Sequence, residues 1–89
     1  MSSMRLAFTS DGGRPLPSLA EGAHAIVVDV RADRAARADR LLSLGVTPGA
    51  RVTLLQRFPG IVFMCDQTEL AVERAVADAI IVRPEEKRR

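Results

Sequence analysis

Within residues 41–55, LLSLGVTPGARVTLL, a helix stop, a tight turn and a strand start follow one another without a spacer. This junction limits the fold more than any other stretch. From Asp33, a plausible N-cap by residue type, Ala35, Ala38, Leu41, Leu42 and Ser43 recur at helical spacing. Gly45 stands where a left-handed residue ends a helix, and Val46 beyond it is placed to pack on Leu41 in a Schellman ending. Thr47-Pro48-Gly49-Ala50 then suits a type II turn, with proline second and glycine third. The turn redirects the chain into RVTLLQR, where Val52 and Leu54 point to one face. Gly45, Pro48 and Gly49 are thus assigned to backbone geometry, and the junction requires no chemistry.

Period-two patterns surround that helix. Residues 23–30, AHAIVVDV, set Ala23, Ala25, Val27 and Asp29 on one face and His24, Ile26, Val28 and Val30 on the other. The second face carries the larger side chains and is expected inside. IVFMC at 61–65 reads as an apolar strand, and Thr68, Leu70 and Val72 alternate through TELAV. Between them Asp66-Gln67 is a tight reversal; neither residue takes positive φ as readily as glycine, so a wider loop also fits. Residues 73–79 fit one short helical turn, IIV at 80–82 a last strand, and Pro84 its end. Ahead of the first strand, Leu16 and Leu19 can pin a loop or single turn to the core, and Gly22 permits a reversal.

These elements predict an all-β fold: a small, partly open, SH3-like barrel of about five strands with one inserted α-helix. Residues 1–15 are expected as a flexible tail, 16–83 as the domain and 84–89 as a charged tail. Val28, Leu41, Leu44, Val52, Leu54, Phe63, Leu70 and Ile80 are assigned to the core. With three Phe and no Trp or Tyr in 89 residues, that core must be largely aliphatic. The 47% hydrophobic content supports folding, although a domain this small buries only about 60% of its unfolded surface.

Function classes are narrowed by what the sequence carries. The formal charge is +2, too weak an excess to imply nucleic acid by itself. Cys65 is alone, so no internal disulfide forms, and no run approaches 18 apolar residues. A soluble, cytoplasmic chain is the simplest expectation. Metal binding lacks CxxC, HxxxH or HxH, and strand alternation sends Cys65 and Asp66 to opposite faces. Cys65 is therefore read as a buried thiol and His24 as a partly exposed edge residue, with no metal site assigned. Neither a Cys–His pair with an orienting third group nor a phosphate loop is suggested, so no catalytic residue and no cofactor are assigned.

Two surface features remain. Arg31, Arg34, Arg37 and Arg40 recur every third residue and, at about 100° per residue, fan around roughly half the helix. A solvated face explains them, with Asp33 and Arg37 an i,i+4 pair; a docking surface of Arg34, Arg37 and Arg40 for an acidic partner is the alternative. The second feature is RFPGI: Arg57, Phe58, Pro59, Gly60 and Ile61. Proline and glycine break the strand here, leaving two placements for Phe58, exposed as a contact or folded back to plug the barrel end.

Taken in order, PLPSLAEG, the strand with Ile26 and Val27, LLSLGVTPGARVTLL, RFPG, TELAV and AVADAIIV resemble FeoA domains over residues 16–82. Leu44-Gly45-Val46-Thr47-Pro48-Gly49 carries most of the likeness, with Ala77, Ile80 and Val82 as a second anchor. The resemblance implies an SH3-like module and a non-enzymatic partner of the membrane protein FeoB, acting near its cytoplasmic GTP-binding domain. Membrane association would then run only through that partner. Similar domains end metal-dependent repressors; with no DNA-binding region ahead of the module, a free-standing FeoA-like protein is expected. Direct sensing of a transition-metal ion and nucleic-acid binding by the barrel are the alternatives. The chain departs from the family pattern in its short Phe58-Pro59-Gly60 loop, its Asp66-Gln67 tip and Glu73, where arginine is frequent.

Overall fold

The computed structural model describes residues 13–31 and 35–85 and, of residues 35–38, the backbone only. Asp33, Arg34 and the side chain of Arg37 therefore lie outside the described residues, as do residues 1–12 and 86–89.

Strand β1 (Arg14–Pro15) leads into a 3₁₀ turn (Leu16–Ser18), then β2 (His24–Val30), α1 (Ala35–Ser43), β3 (Arg51–Gln56) and β4 (Ile61–Cys65). β5 (Thr68–Val72), α2 (Arg74–Asp78) and β6 (Ile80–Pro84) complete the order. The strands form one six-stranded antiparallel sheet in the order β1-β6-β2-β3-β4-β5. Register shifts between Val27 and Asp29 on β2 and between Leu54 and Gln56 on β3 add twist where the sheet bends. The 3₁₀ turn after β1 packs on α2 after β5, so the two ends of the sheet curl toward each other. Pairing begins at Arg14, opposite Val82, inside the stretch read from sequence as tail, and β6 extends through Pro84.

The junction of residues 41–55 forms as its residue types dictate. Gly45 takes φ +94°, its N–H reaches Leu42 O at 3.0 Å and the Val46 N–H reaches Leu41 O at 2.9 Å. This is the paired Schellman pattern, with the side chains of Leu41 and Val46 both buried. Gly49 takes φ +96° and the Ala50 N–H closes the turn on Thr47 O at 2.9 Å. The Gly49 N–H also donates to Val27 O at 2.7 Å, and the Val27 N–H to Ala50 O at 2.9 Å. The turn is thereby stitched to β2.

Those bonds fix which face of β2 points inward, and it is the opposite of the expected one. Ala25 and Val27 are fully buried, whereas His24 is exposed and Ile26, Val28 and Val30 are half-buried. Alternation defines two faces without ranking them; here register decides, aligning Ala25 with Val52 and Val27 with Val82. His24 instead bridges to β3, its Nδ1 lying 2.7 Å from Thr53 Oγ1. Val28 therefore leaves the core list. Leu44 leaves it too, exposed beyond the helix end, while Leu70 is half-buried because its strand is an edge. Leu41, Val52, Leu54, Phe63 and Ile80 are buried as expected, joined by Leu16 and Leu19 from the 3₁₀ segment.

At the hairpin tip Asp66 takes φ +55°, so Asp66-Gln67 makes a tight two-residue reversal. Cys65 beside it is buried, and its Sγ donates to Gly45 O at 3.5 Å, taking up a carbonyl at the helix end. Burial pushes this thiol above its ordinary 9.0, and the Asp66 carboxylate adds to the effect. A raised value means the folded state holds the proton more firmly, so the contribution to stability is complete below 9.0 and is lost as pH rises past it. The urea midpoint should therefore fall from about pH 8 to about pH 10.5, and fall less in Cys65→Ala. An equal fall in both proteins would exclude Cys65 as its source.

Candidate functional site

The most exposed large apolar side chain among the described residues is Phe58, 77% accessible. Its position results from a loop that is held rather than loose. β3 bulges after Leu54, and Gln56 Nε2 donates to Gly60 O at 3.2 Å, closing the base of the connection to β4. The Arg57 N–H donates to Glu21 Oε2 at 2.9 Å, and the Arg57 carbonyl accepts from Arg74 Nη2 at 3.3 Å. Both main-chain polar groups of Arg57 are thus taken by side chains from other segments.

Each of those side chains is placed by its own element. Glu21 sits in the turn that Gly22 makes at φ +89°, and the Gly22 N–H anchors that turn on Leu54 O at 2.6 Å. Arg74 is the first residue of α2, directly after β5. Its guanidinium carbon lies 6.0 Å from the centroid of the Phe58 ring, at the outer limit of a cation–π contact. Glu21, Arg57, Phe58 and Arg74 together line an open groove of about 380 Å³. The groove offers guanidinium donors, one engaged carboxylate and an aromatic face. None of the four side chains is a hydroxyl or a thiol.

Of the loop residues predicted from sequence, Arg57, Phe58 and Pro59 are exposed and Gly60 is half-buried. Ile61 is fully buried and belongs to the core. It opens β4 on the same face as Phe63 and Cys65, which the period of two in IVFMC already implies. Arg40 is exposed but lines a different groove, beside Glu73, and Arg34 and the Arg37 side chain are outside the described residues. Sequence reasoning missed Glu21 and Arg74. They stand 36 and 17 positions from Arg57, and no local pattern links them to it. Among the described residues, no group of three or more His, Cys, Asp or Glu side chains is placed to hold a metal ion.

A bent, open antiparallel sheet of this size, carrying short helices and an exposed loop scaffold, defines an SH3-like module. The chain belongs to the FeoA family: the FeoA domain profile matches residues 14–84. The FeoA protein of Chlorobium tepidum, solved by NMR, is 33% identical, with a TM-score of 0.70 over 79% of this chain and 69% of that one. The zinc complex of Stenotrophomonas maltophilia FeoA is 24% identical, with a TM-score of 0.69 over 76% of this chain and 87% of that one. That protein is described as an SH3 domain protein and a proposed activating factor of bacterial ferrous iron transport. A manganese-dependent transcriptional repressor matches over 82% of this chain but 42% of its own, at 21% identity and a TM-score of 0.76. The last two likenesses show the fold alone. No curated protein matches.

Proposed function

We propose that this chain is a non-enzymatic accessory of ferrous iron transport that works by contact with the cytoplasmic GTP-binding domain of a FeoB-type transporter. Family membership supports the iron-transport setting. The observation that carries the contact reading is Phe58: an aromatic ring 77% exposed on a loop fixed by Glu21, Gln56 and Arg74. An exposed ring on a mobile loop would lose entropy on docking, whereas a pre-held ring loses little. Aromatic and arginine side chains are also the residue types that most often dominate binding energy at interfaces. Contact with a cytoplasmic domain puts the chain, on this reading, in the cytoplasm and at the membrane only through its partner; among the described residues no helix is long and apolar enough to cross a membrane.

The test is a titration of ¹⁵N-labelled protein with the GTP-binding domain of the transporter from the same organism. Shifts are expected at the amides of Arg57, Phe58 and Gly60 and at Glu21 and Arg74, the residues that hold the loop. Unchanged spectra at high partner concentration would remove that domain as the partner. Shifts confined to α1 would move the contact to Arg40 and its neighbours.

A further inference from the structure

The two ends of the sheet are unequally protected. β1 is two residues long and one of them is proline, a short edge that pairs poorly with another chain. β5 at the other end has five residues, contains no proline and, among the described residues, pairs only with β4. Its open side can be derived from the ladder. The Asp66 N–H donates to Arg51 O, which makes Val52 and Cys65 a non-hydrogen-bonded pair and turns the Cys65 main chain toward β5. The hydrogen-bonded pairs with β5 are then Cys65–Thr68, Phe63–Leu70 and Ile61–Val72. Glu69 and Ala71 consequently direct their N–H and C=O groups outward, and among the described residues no main-chain group meets them.

Beside this strand lies a groove of about 390 Å³, lined by Leu44, Ala71 and Val76, with Arg40 and Glu73 also on its wall. Leu44 is 42% exposed there. Arg40 and Glu73 carry opposite charges and form no ion pair with each other.

We propose that the free edge of β5 pairs antiparallel with β5 of a second copy of this chain, about a two-fold axis at Leu70. A two-fold interface must be self-complementary, and a patch that carries one cation and one anion meets that condition. A uniformly basic or acidic partner would oppose one of the two. The register follows from charge. Centring the pair on Leu70 sets Glu69 against Ala71 of the second copy, with each exchanging both main-chain hydrogen bonds. Centring it on Ala71 would set Glu69 against Glu73 of the second copy and oppose like charges. Because the interface is one short strand and a groove, the association is reversible and weak.

Sedimentation equilibrium from about 10 µM to about 1 mM should show an average mass rising from 9.6 kDa toward twice that value. Ala71→Pro removes only an outward N–H, leaving the ladder to β4 complete. It should leave the circular dichroism unchanged and weaken dimerisation roughly tenfold or more. Independently of any variant, the amides of Glu69 and Ala71 should gain hydrogen-exchange protection with concentration, because cover by a second copy depends on concentration and cover by the same chain does not. A chain monomeric at about 1 mM overturns the proposal. So does a dimer that keeps its affinity in Ala71→Pro and loses it in Phe58→Ala, which would place the second copy on the loop.

Discussion

Phe63→Ala should remove about 3–5 kcal/mol of stability, the largest loss expected from any single side chain here. Phe63 is fully buried in the middle of β4 and is the largest buried side chain among the described residues. On either side its register partners are Leu54 of β3 and Leu70 of β5, so truncation opens a void beneath three adjoining strands. Val52 and Cys65 form the next inward pair, and their positions are fixed by the same ladder. The strands cannot slide to close the gap without breaking their pairing, so the cavity term is felt nearly in full. A domain of this size has roughly 5–10 kcal/mol in total. With a urea slope near 1 kcal/mol per molar, the midpoint should fall by about 3 M or more, and part of the population should be unfolded without denaturant. Phe63→Leu keeps most of the volume and should lose only about 1–2 kcal/mol. A loss below about 1 kcal/mol for the alanine variant would mean that the neighbours collapse and the core is not centred on this ring.

Local signals in the sequence were read correctly where the physics is local. Gly45, Val46, Pro48 and Gly49 specify their conformations through bonds spanning at most five residues, so LGVTPG could be resolved from residue types alone. The inward face of β2 could not. Both of its faces carry aliphatic side chains, and what selects Ala25 and Val27 is pairing with Val52, Val82 and the turn at Gly49 and Ala50, all distant in sequence. The preference for larger residues inside gave the wrong face because the register of β2 against its neighbours, and not side-chain size, sets which face is covered. Leu44 misled for a related reason: its place in the apolar run is helical, but it lies past the last turn, at the groove beside β5. Phe58 marks the opposite limit. Its loop was legible as a loop, but its exposure depends on Glu21 and Arg74, and chain topology alone brings those two together.

Phe58→Ala should leave stability within about 1 kcal/mol of the parent and, on the function proposed above, weaken binding to the transporter's GTP-binding domain roughly thirtyfold or more. The two halves of that expectation have separate causes. The ring is 77% exposed, so folding gains little apolar burial from it, and the Arg74 contact at 6.0 Å is worth at most about 0.5–1 kcal/mol at such a surface. Docking would bury the same ring against the partner, where a central aromatic contributes about 2 kcal/mol or more. Arg74→Gln separates the ring from its support: it keeps Phe58 but removes the guanidinium that holds the Arg57 carbonyl. Its effect on binding should be smaller, about three- to tenfold, and should come from a loop that must be ordered on contact. Phe58→Trp, which retains an exposed ring, should restore most of the affinity. Calorimetric titration and urea unfolding of the same variants decide the matter. If Phe58→Ala unfolds the chain, the ring is structural; if it binds as the parent does, the partner meets another face, and the groove at Arg40 and Glu73 becomes the next surface to substitute.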